Sequence, residues 1–165
     1  MAVLFTVSGV QLLHDEMHHR LDLVLDHAAT IPPELFLQNV TGFGSANVRD
    51  QLVHILSVEG AWLSRAQGIP ATRLIASDYM TVDDVVLAKQ RVKADTAAYL
   101  ARVDDAQLNT VIKTLPRDWS GPARSPGFIM HHVITHAFHH KGQVATMFRL
   151  LGYPIGDTDL QRLES

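Results

Sequence analysis

Cysteine is absent from the 165 residues, which excludes disulfides, thiolate metal sites and a cysteine nucleophile while leaving the redox compartment open. Any metal held by this chain must therefore sit on nitrogen and oxygen. Charge of one sign is also lacking: 14 Lys and Arg stand against 17 Asp and Glu, a formal net charge of −3. No run is rich in Lys or Arg, and since phosphate contacts need clustered cations, no nucleic-acid partner is expected. No apolar run approaches the roughly 20 residues that span a bilayer. The apolar start Met-Ala-Val-Leu-Phe-Thr-Val carries no basic residues of the kind that open a secretory signal. The expectation is a cytoplasmic protein with no membrane partner.

Strand-like alternation of useful length is missing too, and four long helical patterns take its place. The first covers residues 8–29, with Val10, Leu13, Met17, Leu21, Val24 and Ala28 at three- and four-residue steps, and Ile31-Pro-Pro ends it. The second follows Gly42-Phe-Gly44 with Ser45 as N-cap, runs to residue 67, and closes at Gly68-Ile-Pro70. Thr81-Val-Asp-Asp84 has the form of a capping box and opens the third, over residues 81–103. A long joint containing Pro116, Trp119, Gly121 and Pro122 is expected to fold over one end of the bundle. The fourth helix opens at Ser125-Pro126, runs to residue 151, and stops at Gly152 before Pro154. It is apolar on most sides and should be the most buried of the four. The economical architecture is all-α: one four-helix-bundle domain over residues 1–165, with a long connection between helices three and four.

Histidine is the residue present in excess, with ten copies. The stretch His132-Val-Ile-Thr-His136-Ala-Phe-His-His140-Lys141-Gly142-Gln143 sets three of them at successive four-residue steps. On a helix that spacing stacks them on one face, with Cβ atoms roughly 5–6 Å apart, the reach of a shared divalent ion. His136 and His140 lie among Val133, Ile134, Ala137, Phe138, Val144 and Met147. Buried imidazoles need partners, either a metal or the carbonyls and carboxylates of neighbouring helices. Three ligands from one straight helix cannot easily surround an ion, so His132 reads as a group that supports the ligands from behind or as a cavity wall. His54 is the obvious donor from helix two. Yet the apolar stripe of that helix centres well away from His54, on the side of Glu59, which by pattern is the more buried of the two. His14 should reach the interior close to the ion, and His18 should face solvent. His19, His27, His131 and His139 are assigned no role. Glu59 and Gln143 are candidates for orienting ligands or water. Lys141 should face solvent or a partner helix, and Gly142 suggests close approach of a neighbouring helix.

Taken together these residues resemble the DinB/YfiT-like family of metal-holding four-helix bundles. The resemblance is carried by His54, Glu59 and Trp62 in helix two and by the late run ending His140-Lys141-Gly142-Gln143, with Arg149 and Gly152 placed as the family has them. Phe43-Gly-Ser45 and Gly152-Tyr-Pro154 with Asp159 are similar to its DinB branch. The resemblance implies a metal triad of His54, His136 and His140, with remaining positions open to water or substrate. Zinc or nickel is implied first, iron or manganese next. Relatives of this kind include thiol-dependent transferases and a mycothiol-dependent isomerase. The implied activity is thus that of a metal-dependent hydrolase or thiol S-transferase, acting on an unidentified small molecule with a low-molecular-weight thiol as possible partner. A homodimer is implied as well. The alternative is a non-catalytic, metal-stabilised dimeric bundle that acts as an interaction or stress-response protein.

Overall fold

The computed structural model describes residues 3–113 and 121–160; Pro116 and Trp119 of the joint lie outside them. Four long helices build the bundle: α1 (Val7–Ala28), α3 (Val48–Ala66), α4 (Val82–Leu100) and α6 (Pro126–Leu150). Two short ones, α2 (Pro33–Leu37) and α5 (Asp105–Asn109), lie in the connections, and no strand occurs among the described residues. Each long helix packs on two others: α6 on α1 and α3, and α4 on the same two. Helices α1 and α3 therefore lie across one diagonal of the bundle, and α4 and α6 across the other.

Local chemistry sets most of the helix ends. Thr81 accepts from the Asp84 amide while Asp84 accepts from the Thr81 amide, the expected capping box. Ser125 accepts from the Phe128 amide with Pro126 in the first turn, as the sequence suggests. Gly68 and Gly152 follow α3 and α6 with φ of 71° and 88°, values that a side chain would strain. Behind Gly152 the Tyr153 amide donates to the Phe148 carbonyl at 2.9 Å, closing the helix in a Schellman motif.

Three boundaries differ from expectation. Helix α3 is capped by Asn47 rather than Ser45, because the Asn47 side chain accepts from the Asp50 amide at 2.8 Å. Helix α4 stops at Leu100 rather than near residue 103, because Asp104 caps a new helix in a second capping box with Gln107. Pro33, expected only to end helix one, also opens α2. The joint after α4 does fold over the bundle end in its first part. There Asn109 Oδ1 accepts from the Leu4 and Phe5 amides, Asp105 accepts from the Val7 amide, and α5 packs on α6. Gly127 admits this closure, since a Cβ there would stand 2.5 Å from the Phe5 ring.

The core is aliphatic around one polar knot. Met17, Leu21, Val24, Leu52, Leu56, Val85, Ile129, Val133, Val144 and Met147 are all buried. Among them sits Glu59 of α3, 1% exposed. His14 donates Nε2–H to Glu59 Oε1 at 2.8 Å, Thr96 of α4 donates its hydroxyl to the same oxygen at 2.8 Å, and His18 Nε2 lies 3.1 Å from Oε2. His18 is fully buried, which corrects the expectation that it faces solvent. The pattern on α1 missed it because a carboxylate from across the diagonal makes an inward imidazole affordable there. Burial alone pushes the Glu59 carboxyl up, but the hydrogen bonds and charge of His14 and His18 outweigh it and hold the carboxyl at about 2. Burial also lowers His18 below its ordinary 6.5, against the pull of Glu59.

Lys141 is another correction. It is buried at 4% exposure and donates to the Thr158 carbonyl at 2.6 Å, tying down the tail that follows α6. Gly142 meets no neighbouring helix: it is exposed, and an added Cβ would touch nothing within 4 Å.

Gly127→Ala should lower the free energy of unfolding by about 1–3 kcal/mol through overpacking against Phe5, measured by urea denaturation; an unchanged midpoint would refute the close approach. Folded Glu59 titrates below the ordinary 4.5, so its stabilisation is fully present above pH 4.5 and is lost as pH falls towards 2. His18 acts in the same direction: the unfolded chain takes up that proton first, so stability falls as pH drops below 6.5. Thermal melts should show wild type losing stability steadily on acidification. Glu59→Gln should start roughly 1–3 kcal/mol lower near neutrality and decline less steeply below pH 4.5.

Candidate metal centre

Helix α3 is buried on two faces. At about 100° per residue, His54 and Glu59 point about 140° apart, so with Glu59 turned into the bundle His54 turns towards α6. Two turns of α6 meet it there. The rings of His54 and His136 lie 5.0 Å apart between centroids, those of His54 and His140 4.5 Å, and those of His136 and His140 4.3 Å. One ring nitrogen from each comes within 4.8 Å of the other two. The structure thus brings together all three residues singled out in the sequence, each half-buried.

All three imidazoles are held neutral. Burial and the nearby His140, His54 and His132 rings push His136 down to about 3. Burial, with His54 and His139, lowers His140 to about 4. Burial followed by the charge of Arg73 lowers His54. A neutral imidazole is the form that offers a lone pair to a cation, so the cluster is poised as a set of nitrogen donors. No carboxylate belongs to it.

A residue that the sequence reading missed orients the cluster. Gln51, one turn before His54 and its neighbours on α3, is fully buried. Its amide nitrogen donates to the Ser45 carbonyl at 3.1 Å and to Gln143 Oε1 at 2.8 Å. A carbonyl only accepts, so the Gln51 oxygen must face the other way, towards His140 Nδ1 at 2.7 Å. Nδ1 of His140 therefore carries the proton, and Nε2 keeps its lone pair free. Gln143, expected to orient ligands, acts on His140 through Gln51, and its own amide nitrogen reaches His139 Nε2 at 3.0 Å. His139, assigned no role from the sequence, thus ends this chain of hydrogen bonds. The only sequence signal for Gln51 was a polar residue beside an apolar stripe, which is weak.

Other expected participants fall elsewhere. Glu59 makes no hydrogen bond to the triad, and His14 is bonded to Glu59 rather than approaching an ion. His14, His18 and Glu59 form a second group whose ligand atoms lie within 4.8 Å of one another, fully buried in the core, where both imidazoles already hydrogen-bond Glu59 Oε1. His132 stands one turn from His136 and lies against Trp62 at 4.5 Å between centroids, the rings tilted by 50°. Its pKa too is lowered, by burial and by His131. Trp62 in turn carries the Arg65 guanidinium 4.9 Å above its ring.

By donor chemistry the triad fits a divalent cation. Three neutral nitrogens, one with its tautomer fixed by a buried amide, suit zinc, nickel or iron(II), and leave positions for other ligands. Among the described residues no helix is long and apolar enough to cross a membrane.

Comparison with known proteins agrees with this architecture. An uncharacterized protein of Bacillus subtilis (strain 168), YizA, is 29% identical over 118 residues, spanning 72% of either chain. A crystal structure of a DinB-like protein from Bacillus cereus superposes with a TM-score of 0.68 at 16% identity, covering 92% of this chain and 97% of that one. At that identity the likeness speaks for the fold alone. The family described as the DinB family matches residues 8–165, nearly the whole length, and the chain belongs to it.

Proposed function

We propose that His54, His136 and His140 hold one divalent metal ion and that the protein is a metal-dependent enzyme acting on a small molecule. The observation that carries this reading is the convergence of three neutral imidazoles from α3 and α6, with His140 held in one tautomer by Gln51. Zinc and nickel suit the nitrogen set best. A bound ion of this kind supplies Lewis acidity and lowers the pKa of a coordinating water or thiol, the basis of both hydrolysis and thiol transfer.

The chain's own residues have separable tasks in this reading. His54, on a different helix from the other two, closes the site and makes its geometry depend on α3–α6 packing. Gln51 keeps the His140 proton on Nδ1, so that Nε2 points its lone pair at the ion. His132 and Trp62 form an aromatic wall on one side of His136 and limit the water that reaches it. His54 also borders a cleft lined by Ser45, Asp50, Ser57 and Leu74, and substrate is expected to enter there.

Plasma mass spectrometry of untagged protein should find about one divalent ion per chain. His54→Ala and His136→Ala should each abolish stoichiometric binding while remaining folded, whereas His14→Ala should retain the metal. Full occupancy in either triad variant would defeat the proposal. Gln51→Leu should weaken metal affinity about 10- to 100-fold, read by competition with a chromogenic chelator; unchanged affinity would remove Gln51 from its orienting role.

A further inference from the structure

We infer that Arg73 is the anion-recognising residue of the His54 cleft, and that the small molecule taken up there carries an acidic group such as a carboxylate. This rests on the metal-site reading above and narrows its substrate class. The cleft, about 420 Å³, is lined by His54, Asp50, Ser57, Arg73, Leu74 and Ala76 among others, a size that suits a small molecule.

Arg73 comes from the segment between α3 and α4, and that segment is fastened to α3 just after it. The Leu74 amide donates to Ser57 Oγ at 3.0 Å, one turn along α3 from His54. Arg49 Nη1 donates to the Ala76 carbonyl at 2.8 Å. The backbone that carries Arg73 is therefore anchored beside His54, and the Arg73 charge is felt there, depressing His54 further. Among the described residues the Arg73 guanidinium itself makes no hydrogen bond or ion pair. The single carboxylate on the cleft does not neutralise it, because both Asp50 oxygens are engaged: Oδ1 by Arg49 Nε at 2.6 Å and Oδ2 by the Asn47 amide nitrogen at 3.2 Å. Asp50, the other charged side chain in this wall, is thus engaged, and Arg73, which is exposed, keeps its donors available to a ligand at the cleft.

A guanidinium matches a carboxylate fork for fork. Among the described residues Arg73 is the sole cationic side chain lining the cleft, so it is the group there that an acidic substrate would meet. A molecule held by Arg73 would lie beside His54, the triad residue that lines the cleft. Arg73 is then a specificity-determining residue.

The test uses full-length protein loaded with cobalt(II), whose visible spectrum reports ligands entering the coordination sphere. Two probes of equal length, 3-mercaptopropionate and 3-mercapto-1-propanol, are titrated into wild type and Arg73→Met. Loss of Arg73 should weaken the acid about fivefold or more, since a charge-assisted pair at a partly open site is of that order, while the alcohol changes less than twofold. Equal effects on both probes, or no effect on the acid, overturn the role of Arg73 and leave the metal site standing. Failure of cobalt to bind, or binding that His54→Ala does not disturb, overturns the metal site and this inference with it.

Discussion

The carboxylate of Glu59 is the constraint on which the rest of the arrangement depends. A charge in an aliphatic core is tolerable only when donors meet it, and here they come to Oε1 from two other helices: His14 and His18 on α1 and Thr96 on α4. That requirement fixes the rotation of α3 about its own axis. Once Glu59 points into the bundle, His54 must point about 140° away, into the seam with α6, where the heptad-like row of His136 and His140 waits. A slip of one residue along α3 would both strand the carboxylate and carry His54 out of the seam.

Two polar systems therefore share one helix and differ in what they can do. The Glu59 knot is sealed, holds its hydrogen bonds on Oε1, and is ionised far below neutrality. The His54 cluster has no anion of its own, is half-buried, and keeps its imidazoles neutral. The first is suited to hold helices together and the second to bind a cation with positions to spare. Gln51 lies between the two roles: it is as buried as Glu59 but spends its hydrogen bonds on the cluster and on the loop ahead of α3.

Helix positions were legible because proline, glycine and small polar caps punctuate this chain, and the His136/His140 pair because four-residue spacing in an apolar helix is conspicuous. His54 stood out as the histidine available on helix two, but periodicity spoke against it and only the family resemblance implied it as a ligand. Its helix has two buried faces, and a single hydrophobic stripe reports one of them. His18 was misread for a related reason, since the partner that permits its burial is 41 positions away in sequence. Lys141 likewise looked like a surface residue until the tail residue Thr158 supplied its acceptor. Gln51 and Arg73 carried no pattern at all: one is a lone polar residue in a helix, the other a lone cation in a loop, and only the fold brings either to His54. Long-range polar partners, then, are what periodicity fails to convey.

Anomalous diffraction from crystals grown with zinc, collected on both sides of the zinc absorption edge, tests the central claim most directly. The account predicts one strong peak per chain bridging His54, His136 and His140, with none at Glu59. A peak among His14, His18 and Glu59, or a triad without a peak in zinc-saturated crystals, would contradict it.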